Sequence, residues 1–179
     1  MRVLERLGLG TAMTATVTGV ILIGACSKQV RGTAEVNQND LSSYTVEMAS
    51  SSAAATSSRL AKIEAANDGA CDGLRTANKT SVTSFNAYIA ASNDQAPDTD
   101  TKAGDAVVTL RNSAKDLDRR ITGDVIADLS GPLRDYIAKT NTLADTLERR
   151  AATDELNGVI DTFNVSKDHA IDACGPYGS

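Results

Sequence analysis

Aromatic side chains are scarce, with four tyrosines, two phenylalanines and no tryptophan among 179 residues. A core must therefore be built from aliphatic residues and alanine, which favours helices. Basic residues are also in deficit, since 18 Lys and Arg face 23 Asp and Glu for a formal charge of −5. Phosphates repel such a chain, so nucleic acid is not an expected partner, and anionic lipid exerts no electrostatic pull on it. Histidine occurs once, at His169, whereas a nucleophilic triad needs one beside a serine or cysteine and zinc needs several ligands at close spacing. The sequence has no phosphate-binding glycine loop, no glycine-flanked nucleophile serine and no dinucleotide fingerprint. No cofactor and no metal are expected.

What is present begins with a positive segment, Met1 to Arg6, followed by an apolar stretch from Leu7 to Ala25 that ends in small residues. Thr11, Thr14, Thr16 and Thr18 make it less apolar than a membrane span of roughly 20 residues requires. A cleaved leader fits better than an uncleaved anchor. The run Ile23-Gly24-Ala25-Cys26 resembles the lipobox of bacterial lipoproteins, an aliphatic residue and two small ones before cysteine. The resemblance covers residues 1–27. It implies cleavage between Ala25 and Cys26, diacylglycerol with palmitate-like chains on the Cys26 sulfur, and a mature protein held on the outer face of the plasma membrane. Two acyl chains, at about 0.8 kcal/mol per buried methylene, anchor stably where one is marginal. Loss of Arg2, Glu5 and Arg6 with the leader would make the chain one unit more negative.

Three cysteines is an odd number for an exported chain. If Cys26 is acylated, Cys71 and Cys174 remain as the one possible intramolecular pair, and an oxidising compartment would join them; a reduced buried pair is the alternative. Residues 26–40 are polar and read as a flexible tether. Within it, Val30-Arg-Gly-Thr-Ala-Glu-Val36 is similar to the juxtamembrane linkers of actinobacterial envelope lipoproteins. Residues 41–67, with Tyr44, Val46, Met48, Leu60 and Ile63 among serines and alanines, predict an Ala/Ser-rich helical stalk or an extra packed helix, interrupted near Ala53 to Ser58. Its serines and threonines are either a solvated helix face or acceptors of sugar.

Residues 68–179 predict an all-α, up-down-up-down four-helix bundle. Apolar residues recur at spacings of three and four in four segments. The first, Asp72 to Ser92, carries Leu74, Ala77, Val82, Phe85, Tyr88 and Ile89 and stops at Pro97. The second, Thr101 to Thr122, carries Ala103, Val107, Leu110, Ala114, Leu117 and Ile121, closed by Gly123. Val125, Ile126 and Leu129 then cross the end of the bundle before Gly131-Pro132 opens the third helix, whose inner face is Leu133, Ile137, Thr140, Leu143, Ala144 and Leu147. Thr153 is a candidate N-cap for the fourth, with Asp154 and Glu155 set against the helix dipole. Leu156, Val159, Ile160, Phe163, Ala170, Ile171 and Cys174 line that helix, and Gly175-Pro176 ends it. Helices alternating in direction bring the start of the first and the end of the fourth together, which is where Cys71 and Cys174 fall. A disulfide there, closing a loop of about 100 residues, would contribute up to about 4.7 kcal/mol.

Other groups read as structural. His169 lies roughly 220° around its helix from Leu156, away from the apolar stripe. Asp98 and Asp100 have calcium-loop alternation, but Lys102 stands where an oxygen ligand belongs and Gly104 comes one place late. Arg119-Arg120 and Arg149-Arg150 could grip an anion, although cations are favoured at helix ends in any case. Asp116 and Asp118 lack a partner for acid-base work, and the Asn78 and Asn164 glycosylation matches fall inside helices. No catalytic residue is assigned. The expected function is a non-catalytic, lipid-anchored envelope module that docks onto other envelope proteins. A carrier for a lipid or other apolar ligand is the alternative, disfavoured because Ala77, Ala103, Ala114, Ala144 and Ala170 leave little room for a cavity of about 300 Å³. An enzyme using carboxylates and arginines is the third.

Overall fold

A computed structural model describes residues 36–177. The expected leader, the expected cleavage between Ala25 and Cys26, the expected lipidation of Cys26 and most of the expected tether fall on positions outside the described residues. The chain divides into two units, residues 1–41 and 42–179. In the first, the Asn39 N–H donates to Asn37 Oδ1 at 3.1 Å and the Leu41 N–H to the Asn37 carbonyl at 3.0 Å, so Asn37 starts a helix.

Four helices follow: α1 Gln38–Asn93, α2 Thr99–Asp118, α3 Ala127–Glu148 and α4 Thr153–Cys174. The expected interruption at 53–58 is absent, because α1 is continuous. No glycine or proline occurs between Gln38 and Asp68, and the hydroxyls of Thr45, Ser50, Ser51, Ser52 and Thr56 donate to carbonyls three or four residues back. Serine is thereby accommodated in the helix rather than breaking it. Every residue from Ser42 to Lys62 is exposed.

From Asn67 onward α1 turns one face inward. Asn67, Ala70, Cys71, Leu74, Ala77, Ser81 and Phe85 are buried at steps of one, three and four. The residue at the centre of that face is Ser81, fully buried, where the apolar pattern pointed to Val82; Val82, Tyr88 and Ile89 pack against the core from its edge. The α2 stripe holds as expected, with Val107, Leu110, Ala114 and Leu117 buried and Ala103 partly so. In α3, Leu133, Thr140, Leu143, Ala144 and Leu147 are buried, and Tyr136 joins them with no exposed surface. In α4, Leu156, Phe163, Ala170 and Cys174 are buried together with Ser166, whereas Ile171 is 44% exposed.

The helices alternate in direction. At one end the Ile126 N–H donates to Asn67 Oδ1 at 3.1 Å and Cys71 is bonded to Cys174. At the other, Arg150 after α3 pairs with Asp100 in the first turn of α2 at 2.6 Å. The result is an all-α four-helix bundle stapled by Cys71–Cys174, whose Cα atoms are 5.6 Å apart across a sequence separation of 103.

The helix ends differ in detail from the sequence expectation. The α1 terminus is fixed by Gln95 at φ 51°, with the Ala96 N–H donating to the Ala91 carbonyl and the Gln95 N–H to that of Ser92. That is a Schellman ending, reached before Pro97. Arg150 at φ 52° ends α3 the same way, through Ala151 to Thr146 and Arg150 to Leu147. α3 begins at Ala127 rather than Gly131, so Leu129 belongs to it and Pro132 is its sixth residue. Pro132 has no N–H to offer the Asp128 carbonyl, and its placement is therefore not free of cost. Ala152, not Thr153, holds the N-cap position of α4 and gives no side-chain cap, while Asp154 and Glu155 do occupy the first turn.

Candidate functional site

The two cysteines that sequence reasoning singled out are brought together. Cys71 lies four residues into the packed part of α1, Cys174 is the last residue of α4, and both are buried. A glycine follows each cysteine of the staple: Gly73 comes two residues after Cys71, and Gly175 is the α4 C-cap.

The arginine pairs are not free grips. Arg119 pairs with Asp116, Arg149 with Glu155 and Arg150 with Asp100, so three of the four cations are neutralised within the chain. Arg149 and its hydrogen bond hold Glu155 below the usual glutamate range, and Arg150 does the same for Asp100. Arg111, which the sequence did not flag, forks onto Asp145 at 2.8 Å and Glu148 at 2.7 Å, tying α2 to α3 and raising its own pKa. All these pairs are exposed and therefore contribute little each. Asp100, the candidate calcium ligand, is taken by Arg150, and among the described residues no three His, Cys, Asp or Glu side chains gather into a metal nest. His169 is exposed on α4.

Arg120 behaves differently. Its side chain lies across Gly73 of α1, where a Cβ would collide with Arg120 Cδ and come within 3.2 Å of Leu117 Cδ1. Glycine in a helix interior is unfavourable by about 1 kcal/mol relative to alanine, and here it gives the arginine stem a floor. A polar groove of about 300 Å³ runs from this point between α1 and α2, lined by Thr76, Thr80, Asn112, Ser113 and Arg120 among others.

A second recess lies between α1 and α4. Its volume is about 130 Å³, and Val82, Phe85, Leu110, Leu143, Ile160 and Phe163 form its apolar lining. Ser81 also lines it, and Asn86 and Asn164 stand at its half-exposed rim. Tyr136 packs against Phe163 of this lining in a tilted pair, ring centroids 5.5 Å and planes 44° apart. Burial pushes the Tyr136 phenol up, and the neighbouring Thr140 and Ser81 hydroxyls offset part of that rise. Thr140 spends its proton on the Tyr136 carbonyl at 2.8 Å, and neither Ser81 Oγ nor Tyr136 Oη makes a hydrogen bond of normal geometry. Sequence reasoning missed Ser81 and Tyr136 because it followed apolar residues; the steps of four from Ala77 to Ser81 to Phe85 were the available signal.

Fold and staple together define a small helical-bundle protein with a cross-linked end and no reactive constellation among the described residues. Residues 53–175, more than half of the chain, match the Rv2240c four-helix bundle domain, and the chain belongs to that family. No curated protein and no solved structure matches it.

Proposed function

We propose that this chain is a lipid-anchored, non-catalytic module of the bacterial cell envelope, held by diacylglycerol on Cys26 at the outer face of the plasma membrane and docking onto other envelope proteins. The observation that carries the proposal is the Cys71–Cys174 bond, because disulfides persist outside the cytosol and are kept reduced within it. The lipobox Ile23-Gly24-Ala25-Cys26 accounts for the third sulfur. Residues 42–62, a fully exposed helical stretch of roughly 30 Å at 1.5 Å per residue, serve as a spacer between anchor and bundle. The alternative of a lipid carrier is disfavoured by size, since the apolar recess of about 130 Å³ is well below the roughly 300 Å³ or more of pockets that enclose drug-sized or larger ligands.

Membrane fractionation of the native host, comparing the wild-type chain with Cys26→Ala, tests the anchor. The wild-type protein is expected in the detergent-rich phase and the variant in the aqueous phase or unprocessed. Equal recovery of both forms in the aqueous phase would remove the anchor from the account. Crosslinking on intact cells tests the docking role, and the absence of any reproducible adduct would count against it.

A further inference from the structure

The buried hydroxyl of Ser81 and the recess it lines have no part in anchoring or docking. Ser81 has no exposed surface, and its Oγ, with the Tyr136 hydroxyl beside it, makes no hydrogen bond of normal geometry. A hydroxyl left unpaired in a low-dielectric interior is disfavoured by about 1–3 kcal/mol, and most buried serines avoid this. Ser166, at a comparable depth in α4, donates to the Phe163 carbonyl at 3.0 Å, and Thr140 and Thr146 donate to carbonyls four residues back. Ser81 alone among these four hydroxyls has no bond to a backbone carbonyl. It also stands in the wall of the apolar recess, beside Phe85, Leu110, Leu143 and Phe163.

The size of the recess narrows the ligand. A cavity of about 150 Å³ lined by Leu, Ile and Phe takes benzene, and this one, at about 130 Å³ with a similar lining, takes a single ring. The rim between α1 and α4 is not sealed: Asn86 is exposed, and Val82, Ile160 and Asn164 are partly so, which leaves an approach that does not require the bundle to open.

We infer that the recess between α1 and α4 is a binding site for a small ring alcohol, its apolar body held by Phe85, Leu110, Leu143 and Phe163 and its hydroxyl paired with Ser81 Oγ. The site is independent of the lipid anchor, because every residue in it belongs to the bundle.

Phenol and toluene, alike in size and different by one hydroxyl, are the probes. Each is titrated into the full chain while the methyl resonances of Val82, Leu110, Leu143 and Ile160 are followed by NMR. Both probes are expected to move these four residues selectively, phenol at the lower concentration. Ser81→Ala, which removes the hydroxyl and favours helix, is expected to weaken phenol about tenfold and to leave toluene unchanged. Val82→Phe, which narrows the rim, is expected to abolish both. Shifts scattered over the surface, no shifts at all, or an equal effect of Ser81→Ala on the two probes would overturn the site; the last outcome would assign Ser81 to Tyr136 alone. Retention of phenol binding by Val82→Phe would likewise contradict it.

Discussion

Gln95 and Arg150 occupy the left-handed backbone positions that glycine usually takes at a Schellman ending. Each side chain there is disfavoured by about 1–2 kcal/mol. Arg150 gains a partner in return, Asp100 at 2.6 Å, whereas Gln95 has no such contact to lose. Gln95→Gly is therefore expected to stabilise the protein by about 1 kcal/mol, part of the relief being offset by the greater freedom of glycine in the unfolded chain; a lower midpoint in urea would contradict this. The exposed carboxylates make a second expectation. Asp100 and Glu155 are held below their ordinary values of 3.8 and 4.5 by Arg150 and Arg149, so their contribution is fully present above those values. It is lost as the pH falls through the lowered ones. Stability should decline on acidification below about pH 4, less steeply in Asp100→Asn/Glu155→Gln and in high salt, and an identical slope in the variant would show that the pairs contribute nothing.

Among the elements, α1 is one helix with two environments. Its residues 42–62 are exposed without exception, and its burial begins at Asn67. A helix segment with no packed face holds only the stability of its own propensity, which for a stretch rich in serine is small. Backbone amides of residues 45–62 should exchange with solvent quickly, while those near Leu74 and Ala77, and near Leu110 and Leu143 in α2 and α3, should be protected to the level of global unfolding. Uniform protection along α1 would mean that the exposed part is covered by something. The helices themselves were legible in the sequence, because spacings of three and four survive in Val107, Leu110, Ala114 and Leu117 and in Thr140, Leu143 and Leu147. Their ends were not. Pro97 and Pro132 invite a boundary at proline, but the α1 terminus is set by backbone hydrogen bonds at Ala91 and Ser92, and α3 starts five residues before Pro132. The recess was illegible for a related reason: Ser81 and Tyr136 carry polar atoms, and a pattern of apolar residues passes over them.

For the molecule as a whole, the disulfide ties the first packed turn of α1 to the last residue of α4. Cysteine arithmetic and helix direction, taken together, point to that pair from the sequence. In the chain-entropy account a loop of about 100 residues contributes up to about 4.7 kcal/mol, a large part of the roughly 5–15 kcal/mol that holds a domain folded. Reduction, or Cys71→Ala/Cys174→Ala, should lower the urea midpoint by several tenths of its value or unfold the bundle, and an unchanged midpoint would remove the staple from the stability argument. The location of the molecule rests on the remaining sulfur. Mass spectrometry of the mature N-terminal peptide, isolated from the envelope fraction of the native host, addresses it directly. A peptide that begins at Cys26 and carries diacylglycerol is expected. A chain recovered from the cytosol with Met1 to Ala25 intact and Cys26 unmodified would contradict it.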